Sequence, residues 1–223
     1  MISVIIPTLN EEKALPETLE CLSNQDLEKQ VIVVDGGSHD DTRQIVEDTP
    51  WVEWVIAPAG RASQMNAGAV AARGDWLLFL HADTWLPEGA LQAIANLDGD
   101  IAAGGFRQQF SNAHWFLALV SRMHNWRCNR TRVIYGDQAM FIRRDLFDRI
   151  GGFPREDVLE DVLISEHILT HTRPALLAQT VTTSSRKFEQ HGPYRSFFDI
   201  VIIMCCYELH LPLLRRRFFS AFR

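Results

Sequence analysis

Residues 77–87, LLFLHADTWLP, run through four apolar positions and then present His81 and Asp83 ahead of a proline-bounded turn. An imidazole and a carboxylate two positions apart at the end of a buried strand have two readings. A polar strand end can simply meet water, and an aspartate before a Thr-x-x-Pro turn can cap the loop that follows. Alternatively, the strand carries a carboxylate to a hard divalent cation, which prefers carboxylate and phosphate oxygens. Other apolar runs end in the same way. Residues 3–6 are rich in β-branched types and stop at Pro7, with Thr8, Asn10 and Glu12 beyond, while QVIVVDGG stops at Asp35. The two glycines after Asp35 let the backbone approach a ligand, although an Asx-turn at a strand exit explains the same residues. Glu160 and Asp161 form an adjacent acidic pair at the start of an amphipathic segment. Acidic residues in a first helical turn are stabilising by themselves, so this pair alone does not establish acid–base chemistry.

The elements that must position these side chains follow from periodicity. Apolar runs at 3–6, 31–34, 52–56 and 77–80 read as strands. Between them lie helical patterns: Leu15, Leu19 and Leu22 on one face with Pro16 in the first turn, a capped segment after Ser38 or Asp40, and a small-residue helix ended by Gly74. A further helix is expected to begin at Pro87. Alternating strands and helices predict a mostly parallel sheet with helices on both faces. Ligands of such sheets bind beyond the carboxyl ends of the strands, so Thr8, Asn10, Asp35, His81 and Asp83 are expected along one edge. Arg61 and Asn66 precede the fourth strand. A helix start favours anions and an arginine there can fork onto a diphosphate, with a solvated surface arginine as the alternative.

The second half is less regular. Residues 101–110 and 135–144 read as strands, with Gly136, Asp137 and Gln138 at the start of the latter. Residues 114–128 read as a helix, as do a short segment closed by Gly151, Gly152 and Pro154 and the amphipathic stretch 159–171. A closing loop over 184–198 carries Arg186, Lys187, His191 and Arg195, for which surface charge is the default reading.

A chain of 223 residues is expected to form one domain around one sizeable core. Its net charge of −6, from 22 basic and 28 acidic residues, gives no sign of a nucleic-acid partner. Cys21, Cys128, Cys205 and Cys206 include no CxxC pair, which favours a reducing compartment over a zinc site or a disulfide framework. The start, MISVIIPTLNEE, lacks a basic region and goes straight into a strand, so no signal peptide is expected. No apolar run reaches the ~20 residues of a membrane span. The nearest, at 197–214, is interrupted by Asp199, Glu208, His210 and Pro212. Two readings of the apolar and basic tail stay open: an interfacial helix beside anionic lipid, and a helix packed on the core or on a second copy in a homodimer.

Four segments in order, SVIIPTLNEE, VIVVDGGSHDDT, GRASQMNAGAVAARGDWLLFLHADTWLP and YGDQAMFIRRDLFDRIGGFPREDVLEDVLIS, together resemble the family 2 inverting glycosyltransferases with the GT-A fold. Within that family they most resemble a small, non-processive bacterial subgroup. The resemblance implies one α/β, Rossmann-like domain with a mixed, mostly parallel central sheet. Residues 1–100 would be its nucleotide-binding half, 101–195 its acceptor-binding half and 196–223 a helical tail. It implies transfer of a sugar from a nucleotide-diphospho sugar (a UDP- or GDP-sugar) to an acceptor hydroxyl, with Mn²⁺ or Mg²⁺ on Asp83. Pro7, Thr8, Asn10, Glu12, Asp35, Arg61, Asn66 and His81 would hold the donor. Asp137, Glu160 and Arg186 would line the donor–acceptor side, and Asp161 would serve as general base. The expected location is the cytoplasm, and peripheral contact at the inner face of the membrane is one of the two open readings of the tail. One departure stands out: the family's usual D-x-D is His81-Ala82-Asp83 here, so an imidazole replaces the first carboxylate. The alternative reading is a sugar-nucleotide-binding module whose altered motif has lost turnover. Nucleotidyl transfer would want a glycine-rich basic loop where the acidic PTLNEEKALP stands, and no G-x-G-x-x-G supports a dinucleotide enzyme.

Overall fold

A computed structural model describes residues 1–155, 159–192, 194–195, 197–198 and 201–202. Cys205, Cys206, the arginine run and the expectations attached to the tail lie outside them. Strands β1 (Ile2–Thr8), β2 (Lys29–Asp35), β3 (Val52–Ile56) and β4 (Trp76–Phe79) alternate with helices α1 (Leu15–Ser23), α2 (Thr42–Glu47) and α3 (Arg61–Ala71). Next come β5 (Thr84–Trp85), α4 (Ala90–Ala95), β6 (Ala103–Phe110) and α5 (Trp115–Thr131). After a 3-10 turn at Gly136–Gln138, the chain continues through β7 (Met140–Arg143), α6 (Arg144–Ile150), α7 (Glu160–Leu169), β8 (Ala175–Thr183) and α8 (Arg186–His191).

The strands form one mixed sheet in the order β3-β2-β1-β4-β7-β6-β8-β5. The first four are parallel, with Ile2 level with Lys29 on one side and Trp76 on the other. β7 then runs antiparallel to β4, with Phe79 opposite Met140. Side-chain alternation divides the apolar residues between two faces. Val4, Ile6, Val31, Val33 and Leu78 pack with α1 and α4, whereas Ile5, Ile32, Val34, Leu77 and Phe79 pack with α3, α6 and α7. Burial on both faces explains the unbroken apolar runs. No helix among the described residues is long and apolar enough to cross a membrane.

Four local expectations change. Residues 136–138 are a 3-10 turn, not a strand start, because Gln138 bonds back onto Tyr135 instead of pairing sideways. α4 begins at Ala90, after a left-handed Gly89, instead of at Pro87. The segment from 184 is partly the short helix α8, not a loop throughout. β8 was not anticipated. Its residues, ALLAQTVTT, are mostly half-buried and pair parallel to β6 with a bulge between Phe106 and Arg107.

α3 lies so close to the sheet that a Cβ on Gly68 would stand 2.3 Å from Cγ2 of Ile5 and 3.0 Å from Cγ2 of Val34. Gly68→Ala is therefore expected to cost about 1–3 kcal/mol through overpacking, despite alanine's better helix propensity. Thermal unfolding should show a melting temperature lower by several degrees, about 2–4 °C per kcal/mol for a chain of this size. An unchanged melting temperature would mean that α3 can slide outward freely.

Candidate active site

β4 ends at Phe79, and the backbone N–H of Leu80 still donates to Ile5 O at 3.0 Å. The chain then turns, with Thr84 N donating to His81 O at 3.1 Å, and the Thr18 hydroxyl of α1 donates to Ala82 O at 2.6 Å. Past this turn His81 and Asp83 have different neighbours. His81 lies against the 3-10 turn, where a Cβ on Gly136 would stand 2.6 Å from its Nε2, so glycine is what lets the imidazole lie there. Asp83 is instead drawn to the end of β8, whose following Ser184 N donates to Asp83 O at 2.9 Å.

Arg186, at the start of α8, joins two acidic side chains from opposite ends of the chain. Its Nη2 donates to Glu11 Oε2 at 3.0 Å and lies 3.8 Å from Asp83 Oδ2. Burial works against the guanidinium, but Glu11 and then Asp83 more than compensate and raise its pKa. Glu11 and Asp83 thus converge on one cation, and Glu11 is the acidic residue that sequence reasoning passed over in favour of Glu12. Among the described residues no three His, Cys, Asp or Glu side chains form a chelating cluster. Two convergent carboxylates nevertheless fit Mg²⁺ or Mn²⁺, because Mg²⁺ commonly takes one or two protein carboxylates and completes its shell with water and substrate phosphates.

On the other side of the turn, Asp161 accepts from Gly136 N at 2.8 Å and from Val162 N at 2.8 Å. Its neighbour Glu160 is buried, with its carboxylate 3.9 Å from the half-exposed Arg61 guanidinium. Glu160, Asp161, His81, Gly136 and Phe153 all line one small hollow. Burial lifts Glu160 above the ordinary carboxylate range, Asp161 lifts it further and Arg61 opposes. Burial likewise raises Asp161, with the Gly136 amide and Arg61 pulling the other way.

Asp137 faces α5. His124 Nε2 stands 3.5 Å from Asp137 Oδ1, and Cys128 donates to Gln138 Oε1 at 3.1 Å. Burial disfavours the imidazolium, but the Asp137 carboxylate outweighs it and lifts His124 to about 10. Burial pushes Asp137 up, while His124 and then His81 bring it below its ordinary value. Sequence reasoning missed His124, since one histidine on a helix carries no signal until its partner's position is known.

The remaining candidates form a knitted loop pair. Asp35 accepts from the backbone of Gly37 at 2.8 Å and of Ser38 at 2.9 Å, so its carboxylate makes the Asx-turn that was the alternative reading. Asn10 N donates to Ser38 Oγ, Asn10 Oδ1 accepts from His39 N, and Glu12 accepts from Asp41 N at 3.2 Å. Pro7 and Thr8 pair with Val34 and Asp35 in the sheet. Asn66 was expected on the donor, but both ends of its amide bond to the backbone of Phe153 at 2.9 Å. Buried Gln64, which was not singled out, donates to Thr8 O at 2.7 Å and Val34 O at 2.8 Å, tying β1 to β2.

The His124–Asp137 pair makes stability depend on pH. The folded His124 pKa, about 10, lies above the ordinary 6.5. Its contribution is therefore complete below about 6.5 and is lost as pH rises towards about 10. His124→Gln should flatten the fall in melting temperature over that window. Parallel pH profiles for the two proteins would mean that the pair is not formed.

Comparison with known proteins gives the same picture. Residues 3–153 match the family described as Glycosyl transferase family 2. The chain is 30% identical over 213 residues to a PGL/p-HBAD biosynthesis glycosyltransferase of Mycobacterium tuberculosis, covering 86% of this chain and 78% of that one. Among solved structures, S. aureus TarS 1–349 superposes with a TM-score of 0.67 at 25% identity, covering 82% of this chain and 60% of that one. The same fragment has been solved in complex with UDP. The mannosyltransferase PcManGT of Pyrobaculum calidifontis, solved with GDP-Man and Mn²⁺, has a TM-score of 0.61 at 22% identity and shares the fold over 81% of this chain and 56% of its own. The family match covers more than half of the chain, and the mixed sheet with flanking helices is the GT-A architecture: this protein belongs to glycosyl transferase family 2 and is a glycosyltransferase.

Proposed function

We propose that the chain transfers a sugar from a UDP- or GDP-linked donor to an acceptor hydroxyl with inversion at the anomeric carbon, with Asp161 as general base. The observation that carries this reading is the half-buried Asp161 carboxyl, its pKa raised, in one hollow with Glu160 and His81 beside the turn that bears Asp83. The acceptor oxygen forms its bond to the anomeric carbon as the bond to the diphosphate breaks, and its proton passes to Asp161. The nucleoside diphosphate leaves. One carboxylate suffices for this chemistry, and a base with a raised pKa takes a proton more readily. The complexes of TarS with UDP and of PcManGT with GDP-Man support a nucleotide donor.

Asp35, Ser38, Asn10 and Glu12 fix the loop that would receive the base, whereas Arg61 and Arg186 would face the diphosphate. Asp83, with Glu11 beside it, would hold Mn²⁺ or Mg²⁺, which when bound supplies positive charge to the departing diphosphate. His81, in place of the family's first aspartate, would donate to the donor's phosphate or sugar while remaining against Gly136. A binding module without turnover would bind nucleotide and release no sugar, so donor hydrolysis separates it from this reading.

Asp161→Asn should reduce turnover by about 10²–10⁴-fold while leaving the thermal shift with UDP or GDP intact. A fully active variant would remove Asp161 from the mechanism. The acid limb of the kcat/KM profile should lie above the ordinary carboxylate value of about 4. Asp83→Asn should abolish the extra stabilisation that Mn²⁺ adds to bound nucleotide, and retention of that increment would move the cation site elsewhere.

A further inference from the structure

α5 is built inside out. Beside the buried Leu117 and Cys128, three polar residues face the protein: Ser121 donates to Gln108 Oε1 at 3.2 Å, Asn125 bonds both the N–H and the C=O of Gln108, and His124 meets Asp137. Its large apolar residues face away, with Trp115 64%, Leu119 45%, Met123 54% and Trp126 66% exposed. A helical period puts these four on one stripe, opposite the inward polar set. An ordinary surface helix has the reverse arrangement. Arginines interleave the stripe, as Arg122 and Arg130 are exposed and the Arg130 guanidinium lies 5.8 Å from the Trp126 ring. The helix contains no acidic residue. At its C-terminal end an open basin of about 470 Å³ continues the same chemistry, with Arg130, Arg132, His171 and Arg173 and no carboxylate in its lining.

We propose that the outward face of α5, together with this basin, docks on an anionic lipid bilayer, the helix lying in the plane of the interface. Tryptophans and arginines are the side chains that settle at a headgroup boundary, rings in the acyl edge and guanidinium groups on phosphates. Charge selects this occupant over the two others available. A second copy related by a two-fold axis would set the same arginine-bearing face against itself. The chain's own tail meets the edge of α5, where Phe116 lies 4.8 Å from Tyr194 and 5.4 Å from Phe197, but residues 211–223 carry four arginines and no acidic residue, so that part of the tail would repel the face. An anionic surface complements it, although the chain as a whole has net charge −6. The proposal is independent of the reaction assigned above, since none of the outward-facing residues of α5 or of the basin belongs to the candidate site.

Flotation of the full chain with phosphatidylcholine vesicles, with and without phosphatidylglycerol, tests it. Binding is expected only to the phosphatidylglycerol vesicles and should weaken as salt is raised. Trp115→Ser with Trp126→Ser should lower the partition coefficient at least tenfold. Arg122→Gln, Arg130→Gln and Arg173→Gln together should lower it about a hundredfold. Both variants should keep the nucleotide thermal shift of the parent, which shows that they are folded. The proposal is overturned if the parent fails to float, or if the folded variants float as well as the parent. Binding abolished by deletion of residues 203–223 but untouched by the α5 substitutions would assign it to the tail. A dimer that these substitutions dissolve, in a protein that ignores vesicles, would assign the face to a second copy.

Discussion

The antiparallel pairing of β4 with β7 is the constraint on which the candidate site rests. Parallel strands β1, β2 and β4 deliver their polar residues to one edge of the sheet. Because β7 runs the opposite way and Phe79 sits opposite Met140, the residues before β7 arrive at that same edge. Gly136 is thereby laid against His81, and its amide is free to hold the Asp161 carboxylate. A parallel neighbour in this position would send residues 136–138 to the far end of the sheet. One reversal of strand direction thus joins the nucleotide side of the fold to the acceptor side.

Much of this architecture is legible in the sequence because burial on both faces leaves a strong mark. VIIP, VIVV and LLFL can hardly be anything but central strands, and their polar ends locate the edge. What escapes is set by tertiary partners. β8 is mostly half-buried and pairs with residues about seventy positions earlier, so its pattern carries neither clean alternation nor a continuous apolar run. Glu11 and Glu12 are indistinguishable in sequence. The fold gives the first to Arg186 and the second to a loop amide. Asp35 reads equally well as a ligand and as a turn-former, and its carboxylate closes the turn. Asn66 sits where a donor-binding amide is expected, yet it clamps Phe153, a partner invisible until α6 has folded back.

Electrostatics divides the site into two unlike compartments. Around Asp161 two acidic side chains share a poorly solvated hollow, and the fold tolerates their mutual repulsion with Arg61 as the nearby opposing charge. Around Asp83 the same residue type is balanced by a guanidinium and retains partial solvent access. Burial thus favours a carboxyl that accepts a proton in the first place, whereas in the second a guanidinium faces the carboxylate. His81 lies against Gly136 and, with His124, lowers the pKa of Asp137, so two imidazoles act on that one carboxyl.

The Glu11–Arg186 bond closes a loop of 175 residues. Contacts between such distant parts of a chain come late in folding, because the entropy of closing the loop is lost before any reward is gained. The sheet core holds its apolar residues without this contact, which belongs to the rim around Asp83 and not to the core. The short helix α8 is held by that ion pair, by the Ser185 and Asn112 bonds to Glu189, by Ser111 at Ser185, and by the buried Phe188 ring packed 4.7 Å from Phe110. Chain connectivity thus ties the two acidic groups near the first and fourth strands to a helix that follows the last strand, so one guanidinium joins both ends of the described chain at the rim.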